Sequence, residues 1–141
     1  MENFLNRTEL LKKETLKKEK VDLGDGNFVF VRQMTGHERD TFEQSLLKKT
    51  KDFKGNVTFE QSLDDFRAKL AVCTLCDEEG KALLLPNDYS LLSQNMSAKT
   101  LETIVNAAQK LNAISEQDKE ELVKNSAAGQ EDNSNSGSAE N

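Results

Sequence analysis

The sequence predicts an α+β fold, mostly helical, in which a small antiparallel β-hairpin or three-stranded sheet packs against several α-helices. Three observations predict it. Val21 and Leu23 alternate with Lys20 and Asp22, then Gly24-Asp25-Gly26-Asn27 leads into Phe28-Val29-Phe30-Val31, the pattern of two strands joined by a turn that tolerates positive φ. Thr35 and Glu38 form a Thr-x-x-Glu capping box, which opens a helix. Behind Ser97, the side chains of Leu101, Ile104, Val105, Ala108 and Leu111 recur at the three-to-four spacing of one buried helix face.

The 141 residues are the size of one domain. Its core draws on aliphatic residues and seven Phe, with one Tyr and no Trp. The stretch Ser126–Asn141 holds no Leu, Ile, Val or aromatic residue, so it buries too little apolar surface to offset the entropy of ordering and reads as a disordered polar tail. The chain therefore divides into an N-terminal amphipathic helix (1–20), a single α+β domain (21–125) and the tail (126–141).

Taken in order, Glu2 to Glu19 favours helix, with Leu5, Thr8, Leu11 and Thr15 on a narrow stripe that either docks on the domain or waits for a partner. In the second strand, Phe28 and Phe30 share one face and Val29 and Val31 the other. No cationic residue interleaves the rings, so both faces read as covered. The helix that starts at Thr35 is expected to run to about Lys49 and to bury Phe42, Leu46 and Leu47. Thr50 to Gln61 is polar yet carries Phe53, Val57 and Phe59, whose rings are expected to fold back on the core or form a short strand, with a mobile contact loop as the alternative. Ser62 and Asp65 cap a central helix through Leu63, Phe66, Leu70 and Cys73. Asp77-Glu78-Glu79-Gly80-Lys81 is a turn with Gly80 left-handed, and Ala82 to Leu85 is a candidate third strand before Pro86. Asn87-Asp88 starts a short helix through Leu91 and Leu92, and Ser115 and Asp118 open a last helix to about Asn125.

Charge narrows the function classes. The formal net charge of −6 argues against general binding to a phosphate backbone, which depends on Lys and Arg displacing counterions. Arg7, Lys12, Lys13, Lys17, Lys18 and Lys20 alternate with Glu2, Glu9, Glu14 and Glu19 as on a solvated helix face. The start lacks the apolar core of a signal peptide, and the chain lacks the ~20-residue apolar run that spans a bilayer. A soluble intracellular protein is expected, with neither nucleic acid nor membrane as partner.

The residues that carry chemistry elsewhere do not combine here. Cys73-Thr74-Leu75-Cys76 has C-x-x-C spacing, but two Cys and one His fall short of the four ligands of a structural zinc site. A redox pair places its first Cys at a helix N-terminus, whereas Cys73 comes late in its predicted helix, so both cysteines read as small core residues. His37 reads as a surface residue, and Asp64-Asp65 and Asp77-Glu78-Glu79 as the acidic residues that helix starts and turns favour. No catalytic, cofactor-binding or metal-ligating residue is assigned. A small metal- or thiol-dependent redox protein using Cys73 and Cys76 stays as the alternative.

In order and spacing, the blocks Lys20-Val21-Asp22-Leu23-Gly24-Asp25-Gly26, Thr35-Gly36-His37-Glu38-Arg39-Asp40-Thr41-Phe42-Glu43, Arg67-Ala68-Lys69-Leu70, Asp77-Glu78-Glu79-Gly80-Lys81 and Leu111-Asn112-Ala113-Ile114-Ser115, continuing to Asn125, resemble those of the tail assembly chaperones of long-tailed bacteriophages and prophages. The resemblance covers about Leu10 to Asn125. It implies a non-enzymatic protein of the host bacterial cytoplasm that binds the tape measure protein before the tail tube polymerises around it and is absent from the mature virion. In some members a frameshifted extension recruits tail tube protein, a second candidate partner, and homo-oligomers stay open. The family offers no sharp binding motif. Candidate partner-binding residues are therefore chosen by position on weakly packed segments: Phe4, Leu11, Phe53 and Phe59.

Overall fold

The computed structural model describes residues 2–62, 65–115 and 117–118, with the side chain of residue 61 left out. Its architecture is α+β. The order is α1 (Arg7–Leu10), β1 (Lys18–Gly24), β2 (Asn27–Arg32), α2 (Gly36–Gln44), β3 (Leu47–Lys51), β4 (Val57–Gln61), α3 (Phe66–Thr74), β5 (Leu75–Cys76), a single 3-10 turn at Pro86–Asp88, α4 (Tyr89–Asn95) and α5 (Ala98–Leu111). One antiparallel sheet has the order β1-β2-β5, and a second consists of β3 and β4 alone.

The first hairpin forms as its sequence predicts. Val21 pairs with Val29 and Lys20 with Phe30, and a register shift between Asp22 and Gly24 leads into a turn where Gly24, Asp25 and Gly26 all have positive φ. The face bearing Val21, Val31 and Leu75 is buried beneath α5, whose Leu101, Ile104, Val105 and Ala108 complete the core with Leu70 and Ala71 of α3. Phe42 and Phe66 meet edge-on at 5.7 Å between ring centres and tie α2 to α3. The side chain of Ser97 caps α5 by accepting from Thr100 N at 3.1 Å, and Gly80 is left-handed in its turn as expected.

Four expectations are corrected. The N-terminal helix contracts to the single turn Arg7–Leu10, held by an Asn6–Glu9 capping box, and the chain joins the sheet at Lys18. With two Thr on its stripe, it has too little apolar surface to sustain a longer helix, and short helices are marginal in water. The helix from Thr35 stops at Gln44 instead of Lys49: Ser45 Oγ donates to Phe42 O, Leu46 stays buried, and Leu47 turns outward to begin β3. The third strand of the main sheet is Leu75–Cys76, directly after α3, and Ala82 adds only an isolated bridge to Cys76. Finally, Phe28 is exposed and Phe30 only half-buried, because they lie on the sheet face opposite the one covered by α5, where Lys20 and Lys18 reach over their rings at 4.4 Å and 5.5 Å from across the hairpin. Those cations come from the neighbouring strand, and a scan along one strand does not reveal them.

The central helix begins after Asp65, which sits at φ 58° and accepts from Ser93 Oγ at 2.6 Å instead of capping the helix with its side chain. Leu63 and Asp64 lie outside the described residues. Ser115 and Asp118 exchange the reciprocal bonds of a helix start, at 3.0 Å each. The rest of that predicted helix and the tail of residues 126–141 lie outside the described residues.

Candidate functional site

The end of β2 and the start of α2 build a part-buried ion pair. Arg32 is the last residue of β2, and the short Gln33–Thr35 link brings Glu38 alongside it. Arg32 Nη1 donates to Glu38 Oε1 at 2.9 Å and Nη2 donates to Oε2 at 2.8 Å, a two-point guanidinium–carboxylate pair. Glu38 Oε1 also accepts from Thr35 N at 2.9 Å, so one carboxylate both caps α2 and neutralises a buried cation. Hydrogen bonds from Arg32 hold the Glu38 carboxyl below its ordinary value, against the upward push of burial. The same bonds raise the already high pKa of Arg32.

This pair forms one end of a cavity of about 480 Å³ between α2, α3 and the segment that precedes α4. Its apolar walls come from Phe42, Val72, Leu84 and Tyr89, with Cys73 among them. Lys69 crosses the rim, donating to Ser45 O at 2.9 Å and lying 5.2 Å from the centre of the Tyr89 ring. Leu84 also borders a second, more open apolar groove along α4, lined by Leu91, Leu92 and Met96. Leu83, Leu85 and Leu91 stand exposed beside it. Helix-binding grooves have this character: apolar floors, a methionine that adapts its shape, and polar groups at one end.

The cysteines behave as core residues more than as reactive ones. Cys76 is buried and Cys73 half-buried, and burial pushes both thiols up, further from the depressed pKa of a redox pair. Among the described residues, no group of three His, Cys, Asp or Glu is placed to hold a metal ion. His37 is exposed in the first turn of α2 at the mouth of the cavity. No helix among the described residues is long and apolar enough to cross a membrane.

The four residues chosen from sequence fall into two pairs. Phe4 and Leu11 flank α1 on the N-terminal arm, 96% and 69% exposed. Phe53 lies at the tip of the β3–β4 hairpin, 95% exposed, and Phe59 on β4 is 66% exposed. The Thr50–Gln61 segment is thus half of a hairpin, and its rings do not fold back on the core. On one face Phe59 pairs across from Lys49 and Val57 from Lys51, which makes that face aromatic and cationic at once. Sequence reasoning missed the cavity, because its walls come from three elements distant in the chain. The available signal was the run Ala82-Leu83-Leu84-Leu85-Pro86, too apolar for an ordinary loop and ended by a proline.

No family model, curated protein or solved structure matches this chain.

Proposed function

We propose that the protein is a non-enzymatic tail assembly chaperone of the long-tailed bacteriophage type, working in the host bacterial cytoplasm. In this role it binds the tape measure protein, with tail tube protein as a second partner, and leaves before the virion is complete. The observation that carries this reading is the large apolar side chains left uncovered in clusters: Phe53 and Phe59 on the hairpin, Leu83, Leu85 and Leu91 beside the groove, and Phe4, Leu10 and Leu11 on the arm. Single exposed apolar residues need no explanation, whereas clusters mark surfaces that meet another chain. A tape measure is a long helical chain with an apolar stripe. Anchors at i, i+3 or i+4, and i+7 on such a helix suit a groove of this kind, and the acidic net charge keeps the complex soluble.

The test is co-expression with the tape measure polypeptide encoded in the same genome. The two should co-purify, and a variant with Phe4, Leu11, Phe53 and Phe59 all changed to Ser should keep its fold and lose the partner. Unchanged binding by that variant would discard the assignment of these residues.

A further inference from the structure

The β3–β4 sheet is structurally incomplete. Among the described residues the two strands pair only with each other, every residue from Lys51 to Glu60 is exposed, and a lone two-stranded sheet is marginally stable in water. Its two outer edges differ sharply. β3 reads Leu47-Lys48-Lys49-Thr50-Lys51, and any antiparallel register overlapping three or more of these residues in a second copy sets lysine opposite lysine. The β3 edge is therefore blocked by charge. β4 reads Val57-Thr58-Phe59-Glu60-Gln61, with a single charge.

The backbone of β4 is aimed to use that edge. Asp52 N donates to Asn56 O and Ser62 N to Leu46 O, which sets the alternation of the ladder at both ends. Thr58 and Glu60 thus turn their N–H and C=O groups toward β3, while Val57 and Phe59 turn theirs outward. On the side-chain level, Thr58 already meets Thr50 hydroxyl to hydroxyl at 2.6 Å.

We propose that β4 is a self-pairing edge, on which two copies of this chain align antiparallel about Thr58 to form one continuous sheet, β3-β4-β4-β3. In this register Val57 lies opposite Phe59 of the second copy, and each such pair exchanges both of its backbone hydrogen bonds. β-Branched and aromatic residues are favourable cross-strand neighbours. Thr58 meets its own counterpart, extending the Thr50–Thr58 hydroxyl row, and Glu60 falls opposite Asn56, so no like charges face each other. The lysines of β3 end up at the two far edges. The same strand supplies both halves of every pair, which favours a second copy over a foreign strand. Strands this short bury far less than the ~1,600 Å² of a standard interface, so the dimer is reversible. It forms without a tape measure protein and stands apart from that reading.

Light scattering of the protein alone, over a range of concentrations, tests this. The expected mass rises from one 15.8 kDa chain to two with concentration. Thr58→Lys, which sets two lysines side by side on the axis, should hold it at one chain with an unchanged far-ultraviolet circular dichroism spectrum. Thr58 and its counterpart form a non-hydrogen-bonded pair, with Cα atoms about 4.5 Å apart and within disulfide reach. Thr58→Cys should therefore give a dimer linked through residue 58 under mild oxidation, and Lys49→Cys should not. If Thr58→Lys fails to fold, the two cysteine variants decide. A wild-type protein that stays a single chain at millimolar concentration overturns the proposal, as does equal cross-linking by Lys49→Cys. Hydrogen exchange then identifies the occupant: Val57 and Phe59 amides protected in the monomer mean that this chain covers its own edge, and protection only on adding a tape measure fragment means a foreign strand.

Discussion

Asn112 Oδ1 accepts a hydrogen bond from Met34 N at 2.7 Å, while its Nδ2 donates to Arg32 O at 3.3 Å and Ala108 O at 2.9 Å. One side chain beyond the end of α5 thus fastens the exit of β2, the central strand, to the helix that covers the sheet. Asn112→Ala leaves part-buried backbone groups without partners and should cost about 2 kcal/mol. Urea unfolding measures it, and Asn112→Asp, which keeps the acceptor but turns a carboxylate oxygen toward the Arg32 and Ala108 carbonyls at the C-terminal end of α5, should cost at least as much.

The next residue, Ala113, has φ 54°, a left-handed conformation that an L side chain disfavours. It is held there by the closing bonds of α5, Ala113 N to Lys110 O at 3.3 Å and Ile114 N to Gln109 O at 2.8 Å, with Ile114 buried. Ala113→Gly relieves the strain and should raise stability by roughly 0.5–1 kcal/mol after the entropy of the unfolded glycine is counted. A rise of a few degrees in thermal midpoint is the readout.

Glu38 links stability to pH. Its folded-state pKa lies below the ordinary 4.5, chiefly through the Arg32 hydrogen bonds, so its contribution is fully present above that value and is lost as pH falls through the folded pKa. Glu38→Gln should flatten the acid limb of the stability–pH profile. At neutral pH Glu38→Ala should cost about 3 kcal/mol, at the low end for stranding a buried cation because the carboxylate is partly open to water. Glu43→Ala, which removes the exposed pair with Arg39, should change stability by no more than about 0.5 kcal/mol.

How much of this was legible in the sequence depended on whether the cause was local. The Thr35–Glu38 capping box, the Ser97 cap, the Gly24–Gly26 turn and the face of α5 rest on residues within one turn or hairpin and form as predicted. The expected cap at Asp65 does not, because that residue takes a left-handed φ and turns its carboxylate to Ser93. The length of α2 did not, because Leu47 to Thr50 fits a helix until Val57 to Phe59 offers it a strand partner. Asn112 is polar and unremarkable in the sequence, and its partners lie 78 and 80 residues away. Phe53 and Phe59 stood out as apolar residues in a polar stretch, but that they share a hairpin required the pairing register.

The cysteines give a further check. Because burial pushes both thiols up, iodoacetamide at neutral pH should alkylate Cys73 and Cys76 at least about tenfold more slowly in the folded protein than in urea. Cys76, the more deeply buried, should be the slower of the two. Intact mass over a time course reads the overall rate, and tandem mass spectrometry of the alkylated peptides assigns it to each cysteine.

The most direct measurement is the affinity of the purified protein for a tape measure fragment, compared with that of a Phe53→Ser, Phe59→Ser double variant of the same thermal stability. Exposed aromatic anchors account for much of the binding energy at such surfaces, so the wild type should hold the fragment in solution and the variant should bind about tenfold or more weakly. Equal affinity would contradict the place given to the hairpin, and a wild type that binds no fragment would contradict the proposed function itself.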